Sequence, residues 1–236
     1  MIAEKFAGEG CNVAINYMAS KDAAQQLAER IGKQYGIKTA LLQGDVAIQS
    51  DCHKLVDETV DSLGGLDILV SNAGWTKFTK FGDLHACSEA EWDKCWATNV
   101  KAQLHLMQKA MPVFNQNPEG GVFLITSSVA GIGASGSSMA YSVTKAAGLH
   151  ILKGLAASQG PKLRINAILP GLLKTEWGQK MDPELVQKAM SKAYLQKETD
   201  VEDCADMYIT AAKNSSLTGQ NIQIDSGYLM LGRTGL

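Results

Sequence analysis

Tyr141 and Lys145 stand four residues apart in a stretch with helical spacing, so both project from one helix face. An ammonium beside a phenol favours the phenolate and lowers a pKa of about 10. A tyrosine tuned in this way can give and take a proton near neutral pH. Ser128 lies thirteen residues earlier, just past the apolar run Gly121 to Ile125. Its hydroxyl, at the carboxyl end of a predicted strand, can hydrogen-bond an oxygen whose charge changes during reaction. Asn99 falls inside a long predicted helix. A buried amide is costly there unless it is used, and it could hold a water that extends a proton relay to the lysine.

The spacing of the Tyr–Lys pair is not specific by itself. Tyr17 and Lys21 repeat it just after the first predicted strand, with no catalytic context. Gly131 to Gly136 fits G-x-G-x-x-G, but no acidic residue closes a strand about 20 residues on, as a dinucleotide fingerprint requires. This stretch reads as a loop between Ser128 and Tyr141.

The elements that must position these residues follow from hydrophobic periodicity. Short apolar runs predict strands at Val13 to Ile15, Thr39 to Gln43, Leu66 to Val70, Gly121 to Ile125, Arg164 to Leu169 and Gln220 to Ile224. Amphipathic stretches between them predict helices at Asp22 to Tyr35, Asp51 to Leu63, Glu89 to Met111, Met139 to Ser158, Pro183 to Tyr194 and Asp200 to Lys213. Short strands alternating with long helices indicate a doubly wound parallel α/β sheet with helices on both faces. The 236 residues fit one such domain, and no composition shift divides them.

Composition narrows the function classes. A net charge of -2 and short mixed charge runs give no basic surface for nucleic acid. No apolar stretch reaches the roughly 20 residues of a membrane span, and Met1 to Gly10 lacks the charge-then-apolar order of a signal peptide. Asn214-Ser215-Ser216 is a glycosylation sequon that carries no meaning without secretion. Five cysteines without a CxxC pair argue against a disulfide framework and for a reducing, cytoplasmic setting. His85, Cys87 and Cys95 do not complete a zinc-ligand pattern, and no metal is expected.

The ordered set of motifs resembles the short-chain dehydrogenase/reductase family, in a 3-oxoacyl-reductase-like form. Ser128, Tyr141-Ser142-Val143-Thr144-Lys145 and Asn99 resemble its catalytic tetrad. Ser71-Asn72-Ala73-Gly74 is similar to its N-A-G turn, and Asp45-Val46 to its adenine-contacting pair. Arg164-Ile165-Asn166-Ala167 with Pro170-Gly171-Leu172-Leu173-Lys174-Thr175 matches its P-G-x-x-x-T segment. Thr218-Gly219-Gln220, running to Asp225-Ser226-Gly227, resembles its closing strand, with Ser226 where the family often has glycine.

The resemblance covers nearly the whole chain and implies a Rossmann-type sheet of order 3-2-1-4-5-6-7. It implies hydride transfer between a nicotinamide dinucleotide and a carbonyl or secondary alcohol. Tyr141 would then protonate the oxygen and Ser128 position it, while Lys145 lowers the tyrosine pKa and binds the nicotinamide ribose. Asn72, Ala73, Gly74, Leu173 and Thr175 would line the cofactor. Residues 176–199 would form a substrate lid, with Trp177, Met181 and Met190 as apolar walls or ordinary helix packing. The helices Glu89 to Met111 and Met139 to Ser158 would carry a homodimer or homotetramer interface.

Against the family pattern, Ile2 to Ala7 already reads as the later part of the first helix, and Cys11 to Asn16 as strand two. The first strand and the glycine-rich phosphate loop are therefore expected to be missing, leaving unpaired edges inside the sheet. Asn16, Tyr17, Ser20 and Lys21 present no carboxylate to an adenosine ribose, which favours NADP over NAD. Two other readings stay open: a non-redox isomerase, cyclase or dehydratase on the same fold, and a cofactor-free subunit of a hetero-oligomer.

Overall fold

Val122 to Ile125 and Ala167 to Leu169 are apolar and buried at consecutive positions, so their strands must be covered on both faces. The computed structural model describes residues 1–175, 178 and 183–230, and it shows that covering. In chain order the elements are α1 (Ile2–Gly8), β1 (Val13–Tyr17), α2 (Lys21–Tyr35), β2 (Thr39–Gln43), α3 (Gln49–Leu63) and β3 (Ile68–Ser71). There follow α4 (Glu89–Trp96), a π-helical segment (Ala97–Lys101), α5 (Ala102–Gln116), β4 (Gly121–Thr126) and α6 (Met139–Gln159). The chain continues with β5 (Leu163–Pro170), α7 (Pro183–Lys192), α8 (Val201–Lys213) and β6 (Asn221–Ile224).

Local chemistry sets several boundaries. Gly36 and Gly64 end α2 and α3 in the left-handed region, at φ 68° and 87°, where a side chain would be strained. Ser88 and Glu91 form a capping box that starts α4. Asp200 caps α8 by accepting from the amides of Glu202 and Asp203. The continuous helix expected over Glu89 to Met111 is instead three pieces, and it runs on through Pro112 to Gln116. The interruption is the π-helical turn, where the Ala102 amide reaches back to the Ala97 carbonyl.

The strands pair in parallel but form two sheets, β2-β1 and β3-β4-β5-β6. The doubly wound character holds, yet β1 and β3 are not bonded to each other. Between them opens a cleft of about 1030 Å³, whose walls include Val13 and Ile15 on one side and Ile68 and Val70 on the other. The expected internal edges are thus present on β1 and β3.

Helices hold the two sheets together. On one face α1 packs on α8 and α2; on the other α3 packs on α5. Lys5 of α1 pairs with Glu202 at 2.9 Å and Asp206 at 2.7 Å, and Lys109 pairs with Asp57 at 2.9 Å. Such exposed pairs fix geometry more than they stabilise.

The stabilising burial lies beneath them. Phe114, Phe123, Ile125, Leu152 and Ile165 are fully buried on the α3–α5–α6 face. Phe6, Leu124, Ile168, Cys204 and Tyr208 form the core of the other. Phe114 packs so closely that a Cβ on Gly121 would sit 2.2 Å from its ring. Phe114→Ala is expected to cost about 3–5 kcal/mol, the range for an aromatic side chain lost from a tight core. A lower urea midpoint at unchanged slope checks this.

Candidate active site

β4 delivers Thr126, Ser127 and Ser128 to the carboxyl end of the second sheet. Ser128 is extended, at φ -166° and ψ 156°, and caps the short 3-10 turn Val129–Gly131 by accepting from the Ala130 amide at 3.1 Å. Buried Ser138 starts α6, accepting from the Tyr141 amide at 3.2 Å. This places Tyr141 in the first turn and Lys145 one turn on. Ser142 Oγ donates to the Ala130 carbonyl at 2.7 Å and ties the serine loop to the helix. Gly131 lies so close to α6 that a Cβ there would meet the Lys145 carbonyl carbon at 2.9 Å.

The outcome is a hydrogen bond between the side chains of Ser128 and Tyr141. Lys145 is buried beneath them, 4% exposed. Its Nζ donates to the Thr126 carbonyl at 2.7 Å and lies 5.4 Å from the centre of the Tyr141 ring.

The electrostatics correct one expectation. Burial pushes the Tyr141 phenol up to about 12, and the Ser128 bond only partly offsets it. Burial pushes Lys145 down to about 8. Desolvation therefore outweighs the expected lowering of the tyrosine, because the ammonium is engaged with a backbone carbonyl and faces the ring. At neutral pH Tyr141 is a held proton.

Asn99 sits in the π-helical turn and is buried, with both ends of its amide hydrogen-bonded within the protein. Its Oδ1 accepts from the Trp75 amide at 2.8 Å. Its Nδ2 donates to the Trp75 carbonyl at 2.9 Å, to Thr144 Oγ1 at 3.0 Å and to Cys95 Sγ at 3.2 Å. Asn99 clamps the segment after β3 to α6. Its own carbonyl accepts from Gln103 Nε2 at 2.9 Å. Asn99→Ala is expected to cost about 1–3 kcal/mol, since it strips partners from both Trp75 backbone groups. Denaturant unfolding checks it.

The other residues singled out in the sequence fall into two groups. Val46, Asn72, Ala73, Leu173 and Thr175 line the large cleft. Asp45 instead lines a smaller hollow of about 320 Å³ with Gly44, Asp51 and Lys54. Its carboxylate accepts from the Ala47 amide at 2.9 Å. Gly74 joins the cleft residues to clamped Trp75 and lines neither space. Trp177 and Met181 lie outside the described residues; Met190 is half-buried on α7.

Two residues that sequence spacing missed join the groups. Thr126 Oγ1 donates to Asn72 Oδ1 at 3.0 Å. A hydroxyl has one proton, so Tyr208, 2.6 Å away, donates to Thr126. Burial raises the Tyr208 pKa and keeps that proton in place. Thr126 thus touches the buried lysine through its carbonyl and the cleft through its hydroxyl. Tyr208 lies mid-helix at an apolar-periodic position, which gave no sign of this role.

The doubly wound sheet and the Ser–Tyr pair over a buried lysine define an α/β fold with a candidate acid–base site at the carboxyl end of β4. The family described as enoyl-(acyl carrier protein) reductase matches residues 1–229. A 3-oxoacyl-[acyl-carrier-protein] reductase FabG from Staphylococcus epidermidis is 31% identical over 234 residues, covering 97% of this chain and 93% of the relative. Dehydrogenase/reductase SDR family member 4 from Pongo abelii is 31% identical over 231 residues, covering 96% and 81%. Among solved structures, a 7α-hydroxysteroid dehydrogenase with NADH and 7-oxo glycochenodeoxycholic acid superposes at TM-score 0.88, with 27% identity and coverage of 96% and 88%. A short-chain dehydrogenase from Burkholderia cenocepacia with NADP superposes at 0.87, with 28% identity and coverage of 96% and 91%. The chain belongs to the short-chain dehydrogenase/reductase family and is an enzyme of carbonyl–alcohol oxidoreduction.

Proposed function

We propose that the chain reduces a small-molecule carbonyl to a secondary alcohol, or runs the reverse, with NADP as cofactor. The observation that carries this reading is the hydrogen-bonded Ser128–Tyr141 pair above buried Lys145. When bound, NADP would supply or accept the hydride. Ser128 holds the substrate oxygen, and Tyr141 donates its proton as negative charge develops there. A phenol near 12 is fully protonated at pH 7, which suits donation. Lys145 would keep a positive charge close to the developing alkoxide and would turn from the Thr126 carbonyl to a ribose hydroxyl. Asn72, Ala73, Leu173 and Thr175 would hold the nicotinamide end.

The residues present fit that end of the cofactor. The pyrophosphate is served less well, because among the described residues the side chains lining the cleft include no lysine or arginine and Asp67 alone is charged. Lys21 at the start of α2, with no carboxylate in Asn16-Tyr17, supports NADP over NAD. Exposed Leu104 on α5 and Val143 on α6 support self-association through these helices. The unpaired cysteines among the described residues support a reducing, cytoplasmic setting.

The test is titration of the purified chain with NADPH and NADH, read by nicotinamide fluorescence. Micromolar NADPH binding, weaker for NADH, is expected. A folded chain that binds neither up to millimolar overturns the redox reading and favours a non-redox acid–base enzyme at the same tyrosine.

A further inference from the structure

The G-x-G-x-x-G stretch after Ser128 is no dinucleotide fingerprint, yet the fold uses each of its glycines. Gly131 lies against α6. Gly136 lies against the site itself: a Cβ there would be 3.0 Å from the Ala130 Cβ and 3.6 Å from Tyr141 Cδ1. Gly133 meets a different element. A Cβ there would sit 3.0 and 3.2 Å from the two δ-carbons of Leu229, which lies in the turn after β6.

That turn is firmly held. Asp225 is buried, and its carboxylate accepts from the Gly227 amide at 3.0 Å, the Leu229 amide at 2.8 Å and Gln223 Nε2 at 2.5 Å. Its backbone packs on the end of β5, where a Cβ on Gly171 would be 2.8 Å from the Asp225 Cα. The Leu195 amide donates to the Ser226 carbonyl at 3.1 Å, and a Cβ on Gly227 would meet the Tyr194 Cβ at 3.0 Å. Leu229 is thus the tip of an anchored turn.

The serine loop is held less firmly. No residue from Ser127 to Thr144 is charged, so no ion pair fixes it. Ser142 ties its inner side to α6, and the Ser137 carbonyl ties its far end by accepting from the Thr79 amide at 2.8 Å. Leu229 meets its middle. From there the contact runs back to the site in short steps. The Gly133 amide donates to the Val129 carbonyl at 2.9 Å, and the Ala130 amide to Ser128 Oγ at 3.1 Å.

We propose that Leu229 is a positioning residue, which presses on Gly133 and so holds Ser128 in place beside Tyr141. A reacting group must be fixed to a fraction of an ångström by side chains that are themselves locked by packing. The consequence for rate rests on the redox reading; the contact and its hold on the loop do not.

The experiment compares the whole chain with Leu229→Ala, Gly133→Val and the two combined. Leucine to alanine removes three carbons, and glycine to valine adds three on the facing residue. Gly133 does not lie in the left-handed region, so its backbone admits the valine. Amide hydrogen exchange is followed at Ala130 and Gly133 by NMR. Leu229→Ala is expected to speed both roughly tenfold and leave the β4 amides unchanged. It is also expected to lower kcat for NADPH-dependent reduction of ethyl acetoacetate about tenfold, with NADPH affinity unchanged. The combined variant should return to within about threefold of wild type, as volume-conserving swaps do. A folded Leu229→Ala chain with unchanged exchange at Ala130 and Gly133 overturns the proposal. So does a combined variant no better than Leu229→Ala, or a loss of rate that lies wholly in NADPH affinity. If the exchange responds as expected but neither wild type nor any variant reduces the ketone, the hold on Ser128 stands and the redox reading falls.

Discussion

Tyr141→Phe is expected to lower the rate of carbonyl reduction about 10²- to 10⁴-fold, the usual contribution of a positioned proton donor. The ring stays and only the hydroxyl goes. Packing against α6 and the Lys145 contact with the ring face are kept. The bond to Ser128 is lost, but Ser128 keeps its bond from the Ala130 amide. Fold and cofactor binding should therefore be unchanged. Single-turnover reduction at saturating NADPH isolates the step, with cofactor affinity measured in parallel. A variant retaining more than a tenth of the activity would remove Tyr141 from the proposed role. Because the wild-type phenol is held near 12, its reduction rate should show no alkaline fall from this group until pH approaches that value.

Lys145→Met is expected to act in two directions at once. Activity should fall, since the charge beside the reacting oxygen is gone. Stability at neutral pH should rise by on the order of 2–3 kcal/mol, because a buried charge held near 8 instead of 10.5 is a cost to the fold. The pH dependence separates this from general repacking. Between pH 8 and 10.5 the unfolded chain binds the lysine proton more fully than the folded chain does. Wild-type stability therefore gains over that window, and the advantage of the methionine variant shrinks. Tyr141 works oppositely and later: its raised pKa contributes stability below pH 10 that is lost as pH rises toward 12. Urea unfolding of both proteins at pH 7, 9 and 10 reads the converging curves. Parallel curves would show that Lys145 is not strained by burial.

The layered fold was legible because its strands are short, apolar and bounded by turn residues. Thr39 to Gln43 is a strand at the expected limits, and the other elements shift by only a few residues at their ends. The split of the sheet was legible too, from helical spacing at Ile2 to Ala7 where a strand and turn would be needed first. The π-helical turn was not. It depends on Gln103 reaching the Asn99 carbonyl and on Asn99 reaching Trp75, contacts that periodicity along one helix does not encode.

The candidate site divides in the same way. That Ser128, Tyr141 and Lys145 come together was legible because strand end and helix spacing are local signals. The direction of the pKa shift at Tyr141 was misread because desolvation is a property of the packed whole. Thr126 and Tyr208 were invisible for a related reason: they are 82 positions apart and meet only through folding.

The hydroxyl chain from Tyr208 to Asn72 has a polarity, and that polarity reaches the ligand. With the Asn72 oxygen turned inward, Thr126 gives it its proton and in turn receives the proton of Tyr208. The Asn72 NH₂ is then left for the cleft. It makes one spot on the cleft wall a donor. That spot favours molecules that bring an oxygen lone pair to it and disfavours those that bring an N–H.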